Sequence, residues 1–202
     1  MKTKTIVIWL VGISSLVLFG FAPAPPKSVY KGNNLQLIEE DKATGFAIFR
    51  SGEPEEEDLA EFCRLGIQEI MVLSGNAEDV EWKYKDQCPA LKVIYNTKQD
   101  STVPLNKKFL SDFDAWVTDA KVQGKKIAFR CECGCHRTGR LAGYYQMKYQ
   151  SLTYKDASVV MTGRGKYMDQ KPWLYEQLKA LEDYIYQRPC SVEKKYCVRD
   201  IK

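Results

Sequence analysis

Between Ile127 and Met147 the chain reads IAFRCECGCHRTGRLAGYYQM. The apolar run Ile127 to Phe129 has the composition of a buried strand, and Leu141, Ala142, Tyr144, Tyr145 and Met147 suit the helix that follows. A strand that passes through a short loop straight into a helix points to an architecture in which helices pack on a sheet. It also fixes the loop at a helix N-terminus. Several backbone N–H groups lack intrahelical partners there and the dipole end is positive, so consecutive amides can cradle a phosphate dianion. A thiolate suits the same field, which takes a cysteine pKa from about 8.5 into the range of roughly 3.5 to 7.5. Cys131 is accordingly expected to be a low-pKa nucleophile. Arg137 can close the loop with a bidentate fork that lysine lacks.

Cys131, five residues, Arg137 and then Thr138-Gly139 resembles the signature of the cysteine-dependent protein tyrosine and dual-specificity phosphatases. The ending Gly134-Cys135-His136-Arg137-Thr138-Gly139 is most similar to the plant-and-fungal atypical dual-specificity group, in which a G-x-HRTG string is usual and inositol pyrophosphates are among the substrates. The resemblance runs from about Phe46 to Tyr186. Its second anchor is Phe49-Arg50-Ser51-Gly52-Glu53-Pro54, followed by Leu59 to Leu73 as the family's helix and second strand. One departure is plain: Arg130 stands where the family usually has His, which keeps a cation but changes the hydrogen bonding.

The cysteine cluster admits other readings. Cys131, Cys133, Cys135 and His136 are soft metal ligands, but zinc sites usually draw on two separated ligand pairs, and this chain offers one compact cluster with a single histidine. Buried structural thiols are a second alternative. Cys133 and Cys135 could also capture an oxidised Cys131 as a disulfide.

Strand and helix periods alternate along the rest of the chain. Leu35 to Ile38, Phe46 to Phe49, Ile70 to Leu73 and Leu91 to Tyr95 read as strands. Pro54 to Leu65 reads as a helix with an acidic first turn and Gly66 as its stop. Val80 to Tyr84 is expected as a short helix, and Ser74-Gly75-Asn76 and Gly163-Arg164-Gly165 as turns. From Leu105 to Val122, Leu105, Phe109, Leu110, Phe113, Trp116, Val117 and Ala120 make one apolar stripe between Pro104 and Gly124. Helices near Tyr154 to Met161 and Pro172 to Tyr186 complete the series. The fold class expected is α/β, a central and mainly parallel sheet flanked by helices, with the phosphate loop at the carboxyl end of a strand.

Within that frame the resemblance implies a two-step covalent mechanism without metal or other cofactor. Cys131 attacks phosphorus while the amides of Glu132, Cys133, Gly134, Cys135, His136 and Arg137, with the Arg137 guanidinium, hold the oxygens. Asp100, in the polar loop beyond strand Leu91 to Tyr95, takes the general-acid role by resemblance, ahead of Asp112, Asp114 and Asp119 on the amphipathic helix. Thr138 eases departure of the thiolate. Lys98, Arg130, His136, Arg137 and Arg140, joined by Arg164 and Lys166, suit a polyanion, so the expected partners are a phosphorylated protein or an inositol polyphosphate. An inactive phosphate-binding module and a cysteine-cluster metal or redox protein are the alternatives.

The chain of 202 residues divides into residues 1–24 as signal peptide or membrane anchor, 25–34 as linker, 35–188 as the phosphatase domain and 189–202 as a tail. Lys2 and Lys4 ahead of the apolar run Ile6 to Ala22 have the signal-peptide layout, so export is expected, with membrane attachment only if the segment is uncleaved. A formal charge of +4, which falls further without the leader lysines, is too small to argue for nucleic acid. In an exported chain Cys190 with Cys197, and Cys63 with Cys88, are candidate disulfides.

Overall fold

The computed structural model describes Tyr30 and residues 32–200; the leader and most of the linker lie outside them. Among the described residues five strands form one sheet: β1 (Gln36–Asp41), β2 (Phe46–Ser51), β3 (Ile67–Val72), β4 (Lys92–Asn96) and β5 (Lys126–Arg130). Their order is β1-β2-β5-β3-β4, with β1 antiparallel to β2 and the other neighbours parallel. β2 is buried along its whole length and β5 along all but its first residue, as parallel strands covered on both faces must be.

The helices are α1 (Glu56–Leu65), α2 (Lys107–Gln123), α3 (Arg137–Tyr149), α4 (Tyr154–Arg164) and α5 (Trp173–Ile185). α1 covers one face, where Phe62 packs with Phe49, Ile70 and Val72. The other four cover the opposite face in a larger core that joins Phe46, Ile48 and Phe129 to Phe113, Tyr144, Met161 and Leu178. Phe113 is its hub, meeting Trp116, Phe129 and Tyr144 edge-on at ring-centroid distances of 6.0, 5.9 and 6.1 Å. Such pairs contribute about 0.5 to 1.5 kcal/mol each beyond their buried area.

Local chemistry sets the element ends. Glu55 and Asp58 form a reciprocal capping box at the start of α1, and Gly66 closes it in the left-handed region. The Asn106 side chain accepts from the Phe109 N–H at the start of α2. Gly124 ends that helix at φ +63°, where a Cβ would lie 2.2 Å from the Thr44 carbonyl oxygen, so glycine is required.

Two expectations need correction. Val80 to Tyr84 is a run of turns leading to a 3-10 turn at Lys85–Gln87, because Glu81 is drawn inward to a buried arginine and Cys88 is bonded to Cys63. Gly163 and Arg164 belong to α4, not to a turn; the Asn34 amide meets the terminal Arg164 carbonyl at 3.0 Å and lets the helix run on. Disulfides join Cys63 to Cys88 and Cys190 to Cys197. Among the described residues no helix is long and apolar enough to cross a membrane.

Candidate active site

The loop from Cys131 to His136 links the carboxyl end of β5, the middle strand, to the N-terminus of α3. Its carbonyls are tied back from behind. The Glu53 N–H and the Asn33 amide donate to the Glu132 oxygen at 2.8 and 3.2 Å. The Asn34 amide donates to the oxygens of Cys133 and Gly134 at 3.2 and 3.1 Å, and Arg50 Nη2 donates to Gly134 at 2.5 Å. With the carbonyls turned away, the N–H groups of Glu132, Cys133, Gly134, His136 and Arg137 donate to no acceptor among the described residues, the arrangement of an anion nest. Gly134 makes the turn at φ +66°, and a Cβ there would lie 2.5 Å from the Gly52 nitrogen.

Cys131 is buried at the base of the loop and Thr138 is buried beside it. Arg137 Nη1 donates to the Leu73 oxygen at 3.4 Å and Nη2 pairs with Glu132 at 3.3 Å. His136 is pinned through Nε2, 2.8 Å from the Lys166 oxygen. A cleft of about 670 Å³ opens over the loop, and Lys98, Asp100, Glu132, His136, Arg137 and Lys171 line it with Gln99 and Ser101. The competing acids are held elsewhere: Asp112 by Lys108, Asp119 by Gln123 and Lys125, and Asp114 by Tyr144, Tyr149 and Lys148.

No family model matches the chain, and no curated protein sequence matches it. Solved structures do. TpbA from P. aeruginosa aligns over 74% of this chain and 96% of its own at 16% identity with a TM-score of 0.55. Tk-PTP in its active form covers 74% and 97% at 19% identity and 0.55, and the core catalytic domain of the PP-IP phosphatase SIW14 from S. cerevisiae 71% and 85% at 21% and 0.51. The chain has the fold of the cysteine-dependent phosphatases.

On this phosphatase fold the electrostatics correct one expectation. The Cys131 thiol is pushed up to about 12, first by its hydrogen bond with Cys133 and then by burial, against the pull of the Thr138 hydroxyl and N–H. Cys135 goes the other way, down to about 7, with the Cys133 hydrogen bond as the first cause and the Lys166 N–H and Arg50 assisting. Cys133 stands between the two, its sulfur accepting from the Cys135 N–H at 3.1 Å. The loop setting alone therefore does not make Cys131 the low-pKa thiol: a neighbouring sulfur outweighs it. Cys133→Ala should move the two cysteines in opposite directions, Cys131 beginning to alkylate at lower pH and Cys135 at higher pH. Site-resolved iodoacetamide labelling against pH reads both, and an unmoved Cys131 profile would remove Cys133 as the cause.

The cations also sort differently from the sequence reading. Arg130 faces away from the cleft, fully buried, with Nε and Nη2 on Glu81 at 2.8 and 2.5 Å and Nη1 on Glu53 and Ser74 at 3.0 and 2.8 Å. It braces the base of the loop, and its charge is neutralised by those two carboxylates. Arg140 is likewise buried. Lys98, His136 and Arg137 do reach the cleft, and Lys171 joins them. Arg50 was missed as a cation of the site. It lies beneath the loop, 3% exposed, with Nε and Nη1 meeting no hydrogen-bond partner among the described residues. Burial lowers its pKa to about 10 while the three loop thiols pull it up, so it stays cationic at neutral pH. Its only sequence signal is its place in the Phe49-to-Pro54 segment. Among the described residues no group of three or more His, Cys, Asp or Glu could hold a metal ion.

Proposed function

We propose that the protein is a phosphatase that hydrolyses phosphomonoesters through a cysteinyl-phosphate on Cys131. The observation that carries this is the loop whose carbonyls are bound from behind by Asn33, Asn34, Glu53 and Arg50, above a buried cysteine and beside an arginine fork. The Cys131 thiol gives up its proton to solvent, the thiolate attacks phosphorus as the bond from phosphorus to the leaving oxygen breaks, and protonated Asp100 donates its proton to that oxygen. Asp100 then takes a proton from water, which attacks phosphorus and breaks the S–P bond. Arg137 and the free amides hold the phosphoryl oxygens throughout, and the Thr138 hydroxyl and N–H stabilise the departing thiolate.

The cleft favours a small polyanion. Lys98, His136, Arg137 and Lys171 line it beside Asp100 and Glu132, and among the described residues no Phe, Tyr or Trp does, which supports inositol polyphosphates as substrates; the similar yeast structure is that of a PP-IP phosphatase. Phosphotyrosine is the second reading, supported by a TpbA variant solved in complex with pTyr. The reading includes a location outside the cytosol. The two disulfides support it, since such bonds persist in oxidising compartments.

Asp100 is exposed, and its carboxyl is held below the usual range first by the Thr102 N–H, then by the Thr102 hydroxyl, with Arg140 and Arg137 adding to it. An acid must carry its proton to donate it, and ionisation of Cys131 is common to all substrates, so the rate on a poor leaving group relative to an activated one should rise as pH falls toward that lowered pKa. Asp100→Asn should slow alkyl phosphates by about a hundredfold and an activated aryl phosphate by much less, because only the poor leaving group needs the proton. Equal losses on both would remove Asp100 from the role.

A further inference from the structure

The segment that carries Asp100 lies between β4 and α2, and two buried side chains from the helical layer hold it. Arg140 on α3 and Gln177 on α5 are each 1% exposed. Gln177 Nε2 donates to the carbonyl oxygens of Ser101 and Thr102 at 3.1 and 3.2 Å. Arg140 Nη1 donates to the Val103 oxygen at 2.7 Å and also to Gln177 Oε1, and Nη2 reaches Gln99 Oε1 at 3.4 Å. Three consecutive carbonyls therefore end on one side-chain pair. A buried amide or guanidinium is costly without acceptors, so the pair and the segment fix each other in one arrangement.

The connection runs straight to the anion loop. Arg140 follows Arg137 by three residues on the same helix, so the helix that opens on the loop also grips the segment across from it. Asp100 shares the cleft with Arg137 and His136, and the Thr102 N–H and hydroxyl fix its carboxylate at 2.8 and 2.7 Å. We propose that Arg140 and Gln177 are positioning residues that present Asp100 to the cleft above Cys131. This rests on the reading of Asp100 as general acid. Neither residue lines the cleft; Gln177 acts through the carbonyls of Ser101 and Thr102, and Arg140 through the Val103 carbonyl, the Gln99 side chain and its charge near Asp100.

Gln177 is the better probe. Arg140 faces Asp100, Arg137, Cys131 and Arg199 as charged neighbours, so its replacement changes the field as well as the geometry, whereas Gln177 carries no charge. The experiment uses the full chain and compares wild type, Gln177→Leu, Gln177→Asn, Asp100→Asn and the double variant Asp100→Asn with Gln177→Leu. Each is assayed on an alkyl phosphate and on p-nitrophenyl phosphate. Gln177→Leu should lose about tenfold or more on the alkyl ester and less than about threefold on the aryl ester, and should add nothing in the Asp100→Asn background.

Equal losses on both esters, or a further loss on top of Asp100→Asn, would show a structural role only and overturn the inference. If Gln177→Leu does not fold, as thermal melting will show, Gln177→Asn decides by the same criterion, since its shorter amide falls short of the 101–103 carbonyls. A selective Asp100→Asn beside an unselective Gln177 variant sinks this inference alone. An unselective Asp100→Asn, or a wild type inert toward both esters, sinks the acid or phosphatase reading and this inference with it.

Discussion

Replacing Cys131 with serine is expected to abolish phosphate release and to leave phosphoester binding in place. The amides of the loop are oriented by bonds to the neighbouring carbonyls from Asn33, Asn34, Glu53 and Arg50, and none of these involves the Cys131 sulfur. A serine hydroxyl therefore leaves the cradle standing and removes the nucleophile. Residual turnover above about a tenth of wild type would contradict the assignment. Cys135 is the one thiol that could take over, because it is brought down to about 7. It is fully buried, with its sulfur directed at the Cys133 carbonyl oxygen at 3.2 Å, and activity retained in Cys131→Ser but lost in Cys131→Ser with Cys135→Ser would move the chemistry there.

Arg137→Lys should lower turnover by about a hundredfold or more while keeping the charge. In the structure the guanidinium bridges two points, the Leu73 carbonyl oxygen and the Glu132 carboxylate. Glu132 is exposed, so its contact is weak, and an incoming phosphate displaces it with a better-matched partner. Lysine would still meet Glu132 but could not span two phosphoryl oxygens in a plane. Steady-state kinetics on p-nitrophenyl phosphate decides this: a loss confined to KM would assign Arg137 to ground-state binding, and a near-normal enzyme would remove it from the reaction.

Much of the framework was legible because its signals are local. Gly66 and Gly124 stop their helices through left-handed caps directly after the last helical residue. The stripe from Phe109 to Ala120 fixes the buried face of α2 in consecutive turns. The strand, loop and helix around Cys131 sit in one uninterrupted stretch. What was not legible depends on residues far apart in the chain. Asn33 and Asn34 read as linker, yet they hold the loop carbonyls across about a hundred positions. Arg130 and Arg140 look like cleft cations by proximity to Cys131, but Glu81, Glu53 and Gln177 draw them into the interior. Lys171 comes to the cleft from beyond α4. The raised Cys131 pKa escapes the sequence for a related reason: the helix N-terminus is visible there, whereas the sulfur-to-sulfur contact with Cys133 depends on how the loop folds.

The most direct test of the central claim is to quench wild type with acid during turnover of a phosphomonoester and to sequence the peptide that contains Cys131 by mass spectrometry. The account predicts a phosphate adduct on the Cys131 sulfur, absent from Cys131→Ser and longer-lived in Asp100→Asn, where hydrolysis of the intermediate lacks its base. Steady phosphate release by wild type with no adduct on Cys131 at any quench time, and with turnover persisting in Cys131→Ser, would contradict it.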